Sequence, residues 1–138
     1  MSGVPASVPG SDFPPVVVAD DDRDVRTMLR TLLELDGHEV MEAKDGVEAW
    51  RLCLEWQPSV VVADIQMPGL DGLQLCRKIR SSEYSAGIKV IVYTAGMATP
   101  EEAKRAGCDE YFLKTDPLPR LREKIRQYTG SRPGRPTS

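Results

Sequence analysis

Short apolar runs alternate along this chain with stretches whose apolar residues recur at helical spacing. Residues 16–19 and 60–63 both read Val-Val-Val-Ala, and 89–93 is a further apolar run ending at Thr94. Runs this short, bounded by polar or turn residues, suit strands buried on both faces. Residues 111–113, Tyr-Phe-Leu, predict another strand that stops at Lys114, while 38–43 mixes charged and apolar residues as an edge strand does. Between these lie the helical patterns. Val25, Met28, Leu29, Leu32 and Leu33 mark a first helix up to Asp36-Gly37, where glycine suits a helix C-terminus. Val47, Ala49, Trp50, Cys53 and Leu54 mark a second that ends near Gln57-Pro58, and Leu73, Leu75, Cys76 and Ile79 a third. A short helix over 100–106 is closed by Gly107, and a last one buries Leu118, Leu121 and Ile125, with Asp116-Pro117 as its N-cap and first-turn proline.

Five strands alternating with five helices predict an α/β fold, a single doubly wound parallel sheet with helices on both faces. Right-handed crossovers then bring every strand's C-terminal end to one edge. The four most apolar strands end in Asp20-Asp21, Asp64, Thr94 and Lys114. In open parallel sheets this edge is where ligands bind. Taken singly, each residue has a plainer reading: Asp64 caps a turn before Pro68-Gly69, Asp20 to Asp22 cap the first helix, Thr94 is an ordinary hydroxyl and Lys114 a solvated charge. Their joint placement argues against that.

Composition narrows the function classes. With 138 residues, 41% hydrophobic and 28% charged, the chain suits one globular domain with a real core. A net charge of -3, with Arg and Lys scattered, gives no nucleic-acid surface. No apolar run reaches membrane-spanning length, and a cytoplasmic location is expected. Cys53, Cys76 and Cys108 read as buried small side chains without a Cys or His partner, and Trp50 and Trp56 as packing on the second helix. Residues 1–14 read as a disordered leader, 15–128 as the domain, and 129–138 as a flexible tail or linker stump.

Three carboxylates gathered at one edge repel, so their closeness is unfavourable unless a cation or a proton intervenes. An oxygen-only donor set without Cys or His favours a hard ion with open positions, and Mg²⁺ fits best. Lys114 adds a positive charge and Thr94 a hydroxyl donor, a combination suited to a phosphoryl group. With the metal shielding its charge, Asp64 is the carboxylate placed to attack phosphorus.

The segments VVVADDD, VVVADIQMPGLDG, VIVYTAG and YFLK, in this order at strand ends, resemble the receiver domain of bacterial two-component response regulators. The resemblance implies a flavodoxin-like (β/α)5 fold with strand order 2-1-3-4-5. It implies that Asp64 is the phosphoacceptor, that Asp21 binds Mg²⁺ directly and Asp20 through water, and that Gln66 offers its backbone carbonyl to the metal. Thr94 would be the switch hydroxyl, Lys114 the lysine that pairs with the phosphoryl group, and Tyr111 the aromatic that rotates inward. The donor would be a phosphohistidine on a sensor histidine kinase or phosphotransfer protein, since His38 is the chain's sole histidine.

Two departures stand out. Lys114 is followed by Thr115 where the family places proline, which predicts a trans peptide there. The span from Thr94 to Lys114 is also about two residues shorter than is common, so a homodimer through the fourth-helix, fifth-strand and fifth-helix face would differ from the familiar one. Rival functions are a receiver-like interaction module working without phosphorylation, and a phosphatase resembling the haloacid-dehalogenase type that would use Asp20-x-Asp22 and leave Asp64 idle.

Overall fold

The computed structural model describes residues 14–130. Five strands, β1 (Val16–Ala19), β2 (Val40–Ala43), β3 (Val60–Ala63), β4 (Lys89–Thr94) and β5 (Glu110–Leu113), alternate with α1 (Arg23–Leu35), α2 (Gly46–Trp56), α3 (Gly72–Ser81), α4 (Pro100–Ala106) and α5 (Leu118–Thr129). The strands form one parallel sheet in the order β2-β1-β3-β4-β5, the flavodoxin-like arrangement expected, with β2 at an edge.

The valine runs are explained by the two faces they serve. Val17, Val61 and Val90 pack with Leu52, Cys53, Leu75, Cys76 and Ile79 of α2 and α3. Val16, Val18, Val60, Val62 and Ile91 point the other way, onto Leu29 and Leu33 of α1 and Leu121 and Ile125 of α5. Successive strand side chains alternate faces, so a sheet covered on both sides needs apolar residues at every position. A smaller cluster of Ile65, Val92 and Ala103 seats α4 beside the end of β4.

Among the described residues, side chains cap four of the five helix N-termini. Asp22 caps α1 by accepting from the amides of Asp24 and Val25, and Thr99 and Glu102 form a capping box at α4, whose C-cap is Gly107 in the left-handed region. The last helix differs from expectation. Asp116 does not cap it: its carboxylate turns back to accept from the Leu113 amide at 2.8 Å. Pro117 holds the N-cap position without a side-chain hydrogen bond, and the first-turn proline is Pro119. His38 also departs from the edge-strand reading. After Gly37 (φ 93°) its amide bonds the Leu33 carbonyl to finish the end of α1, so the imidazole is buried ahead of β2.

No cis peptide occurs among the described residues, so the Lys114–Thr115 bond is trans as expected. The three cysteines are free, but Cys76 and the half-buried Cys108 are not isolated as expected: α3 and the loop after α4 bring them near enough that Cys108 lowers the Cys76 thiol pKa. Trp50 packs against the core as expected and carries the Lys78 ammonium 5.5 Å from its ring centroid. Apart from Pro14, Thr129 and Gly130, the expected leader and tail lie outside the described residues, and Thr129 is the last residue of α5. Among the described residues no helix is long and apolar enough to cross a membrane.

Candidate functional site

Strand register builds the site. Ala19 pairs with Ala63, so Asp20 and Asp64 leave adjacent strands side by side. Thr94 pairs with Leu113, so Lys114 leaves the outermost strand one residue further on. Its side chain then reaches back across the strand ends, with Nζ 2.8 Å from Asp20 Oδ2 and 3.0 Å from Asp64 Oδ2. Carboxylate oxygens of Asp20, Asp21 and Asp64 lie within 4.8 Å of one another. Asp20 and Asp64 are buried and Asp21 is exposed, which gives the cluster a floor of protein and one side open to solvent.

The electrostatics of the cluster are out of balance. Burial pushes the Asp20 carboxyl above its ordinary range, and the negative charge of Asp64 adds to this. The hydrogen bonds from Lys114 and from the Asp22 amide oppose the rise without cancelling it. Burial likewise works against the Lys114 charge, but its hydrogen bonds to Asp20 and Asp64 prevail and hold its pKa above the usual value. One ammonium among three carboxylates leaves negative charge uncompensated. A divalent cation would cancel it, and an all-oxygen donor set with an exposed member suits Mg²⁺, which keeps several of its waters. The residues present therefore fit that ion.

The other expected residues surround this cluster. Thr94 is fully buried, its Oγ1 3.4 Å from the Gly96 amide, and its carbonyl accepts from the Lys114 amide at 2.7 Å. Gln66 donates its amide to Asp64 Oδ1 at 3.4 Å, so Asp64 does make the weak turn contact its sequence position suggests, and the Gln66 side chain is exposed. Tyr111 lies earlier on β5, opposite Val92, and its hydroxyl donates to the Ala98 carbonyl in the loop before α4. Asp22, the second acid of a phosphatase-like Asp-x-Asp, is engaged as the cap of α1, whereas Asp64 stands inside the acidic cluster.

The loop from Asp64 to α3 is fixed by close backbone contact. A Cβ at Gly72 would sit 2.3 Å from the Asp64 carbonyl oxygen, and one at Gly46 would sit 2.0 Å from that of Leu70. The Asp71–Gln74 capping box then closes the start of α3. Sequence reading did not single out this box as a support of the site, although the Asp-x-x-Gln spacing signals it. Nor did it single out Arg26, whose guanidinium donates to the Asp20 carbonyl at 2.8 Å.

Comparison with known proteins agrees with this geometry. The family model of the response regulator receiver domain matches residues 16–126. Response regulator MprA of Mycobacterium sp. (strain KMS) is 39% identical over 111 residues, covering 80% of this chain and 48% of its own. MprA of Mycobacterium leprae (strain TN) is 37% identical over 111 residues, covering 80% and 49%. The chain thus spans about half the length of the curated relatives it matches. Among solved structures, a Francisella response regulator receiver domain superposes with TM-score 0.76 at 30% identity, covering 84% of this chain and 96% of the other. TrrA from Thermotoga maritima, solved in complex with Mg²⁺ and BeF, gives 0.75 at 30% identity, with 84% and 99% covered. With its sheet order, its acidic strand ends and these relatives in agreement, the chain belongs to the response regulator receiver domain family of two-component signalling.

Proposed function

We propose that this chain accepts a phosphoryl group on Asp64 from a phosphohistidine of a sensor histidine kinase or phosphotransfer protein, in a Mg²⁺-dependent reaction. The observation that carries this reading is the Lys114 ammonium within 3.0 Å of both Asp20 and Asp64, with Asp21 completing the acidic cluster. Asp20, Asp21, Asp64 and the Gln66 backbone carbonyl would hold the ion. When bound, Mg²⁺ neutralises charge on the carboxylates and on the incoming phosphoryl oxygens. An Asp64 carboxylate oxygen bonds to phosphorus, the phosphorus–nitrogen bond to the donor imidazole breaks, and that nitrogen retains the bonding pair and takes up a proton. Lys114 is already at the carboxylate and stabilises the added negative charge, while Thr94 turns its hydroxyl to a phosphoryl oxygen. Lys114 would remain beside the group and assist its later loss to water.

The switch follows from what these groups leave behind. As Thr94 moves toward Asp64, the loop after β4 follows, and Tyr111, now bonded to Ala98 in that loop, turns into the space vacated. Output then passes through the α4–β5–α5 face to a partner or further domain, with no nucleic-acid contact by residues 15–128. That face is also where a second copy would pair, in a geometry adapted to an α4 of seven residues. The setting is the cytoplasm, where kinase domains present their phosphohistidines.

Beryllofluoride with Mg²⁺, a phosphoryl analogue, tests the reading. The pair should raise the melting temperature and shift the ring resonances of Tyr111, and Asp64→Asn should abolish both effects. Binding with unmoved Tyr111 resonances would remove Tyr111 from the switch. Failure to bind at all would favour an interaction module that works without phosphorylation.

A further inference from the structure

The carbonyl of Asp20 lies where β1 leaves the sheet, past the last strand pairing. Asp20 uses its amide to bond the Ala43 carbonyl of β2 at 3.1 Å, and its carboxylate faces Lys114 and the Asp22 amide. The carbonyl is taken by a side chain from α1: Arg26 Nη1 donates to it at 2.8 Å. The same guanidinium donates through Nε to Glu42 Oε1 of β2 at 3.1 Å. Glu42 pairs in register with Val18, two residues before Asp20, and its other oxygen is held by Arg30 Nη1 at 3.0 Å. The Arg26 side chain is only 15% exposed, so water competes poorly for these bonds.

We propose that Arg26 is a positioning residue for the metal site: held by Glu42, its guanidinium fixes the Asp20 carbonyl and so the orientation of the Asp20–Asp21 turn toward Asp64. A planar guanidinium is suited to this because its donors form a rigid fork, so an anchored Nε leaves Nη1 little freedom to wander. Lysine carries its donors on a single nitrogen, so it cannot reproduce the two separate positions from which Nε meets Glu42 and Nη1 meets the Asp20 carbonyl. Partners that orient metal ligands without touching the metal typically change affinity by about 10–100-fold when removed.

The inference rests on the proposal that Asp20 and Asp21 hold Mg²⁺, and it makes a prediction opposite in sign to simple electrostatics. Arg26 carries a positive charge beside the acidic cluster, so by charge alone its removal would tighten cation binding. If Arg26 positions the turn, removal loosens it. Titration calorimetry with MgCl₂ on the folded protein, well below each variant's melting temperature, separates the two. Arg26→Gln and Arg26→Lys are both expected to weaken Mg²⁺ binding, on the order of tenfold. Glu42→Gln, which leaves the Asp20 contact in place but loosens its anchor, should weaken binding less and carries the test if the arginine variants fail to fold. Variants that melt earlier yet bind Mg²⁺ like the wild type would show a merely structural arginine and overturn the inference. Tighter binding by Arg26→Gln with unchanged Arg26→Lys would overturn it in favour of charge. A wild-type protein that binds no Mg²⁺ would overturn the proposed function and this inference together.

Discussion

At the scale of single residues, Asp20 carries the sharpest conflict in the site. It is 2% exposed, and burial raises its pKa despite an ammonium 2.8 Å away. A carboxyl whose folded-state pKa lies above its unfolded value favours the fold when protonated, and that contribution is lost as pH rises through the folded value. The charge at neutral pH is therefore a cost to the metal-free protein. Asp20→Asn should raise the metal-free melting temperature at pH 7, by about 2–5 °C, with the gain shrinking in acid, and should weaken Mg²⁺ binding. Calorimetric melting across pH checks the first point and Mg²⁺ titration the second; a lower melting temperature with unchanged affinity would contradict both. The positions of Asp20, Asp21, Asp64, Thr94 and Lys114 were legible because each stands at the end of a short apolar run, fully buried in β1 and β3 and only part-buried in β5. Arg26 and Glu42 were not, since a charged residue on a helix or edge strand looks the same in sequence whether solvated or bonded. Their meeting depends on the β1–β2 register, as the Cys76–Cys108 contact depends on how α3 packs near the end of α4.

At the scale of elements, the turn from β3 into α3 decides where Asp64 points. The Gly72 amide donates to the Ile65 carbonyl at 2.9 Å, and the absent Cβ lets α3 start against the Asp64 backbone. The atoms that a Cβ would meet are backbone and cannot rotate away, so Gly72→Ala must push the start of α3 and the strand end apart. Overpacking of this kind costs about 1–3 kcal/mol. Urea unfolding should show that loss, together with weaker beryllofluoride binding; unchanged stability would mean that the turn relaxes freely. Element order, the short α4 and its closing Gly107 were readable from periodicity and turn residues. The start of α5 was misread because Asp-Pro fits a helix cap and a tight turn equally well. Only the fold shows that the Leu113 amide claims the Asp116 carboxylate.

At the scale of the whole molecule, the first and last helices are joined through Asp36, which pairs closely with Arg122 and more distantly, at 3.9 Å, with Arg126. Arg122 of α5 donates to both oxygens of Asp36 at the end of α1, at 2.9 and 2.8 Å, and these bonds hold the Asp36 carboxyl below its usual range. A carboxyl depressed in the fold stabilises above its unfolded pKa and loses that contribution as pH falls through the folded one. Asp36→Asn should cost about 1–2 kcal/mol at pH 7, and the difference from the wild type should begin to shrink at about pH 4 and close only once pH has fallen through the lower folded value. A difference that persists in acid would assign the loss to packing instead. The fold was legible as a whole because five short strands alternating with helices admit few topologies, and the strand order came with the family resemblance. Phosphoryl acceptance is tested most directly by the mass of the intact protein after incubation with acetyl phosphate and Mg²⁺, followed by peptide mapping. Acceptance on Asp64 predicts one added phosphoryl group, labile to hydroxylamine, mapped to Asp64 and absent without Mg²⁺ or in Asp64→Asn. Phosphoryl on another residue, or none while the protein remains folded and Mg²⁺ is bound, would contradict it.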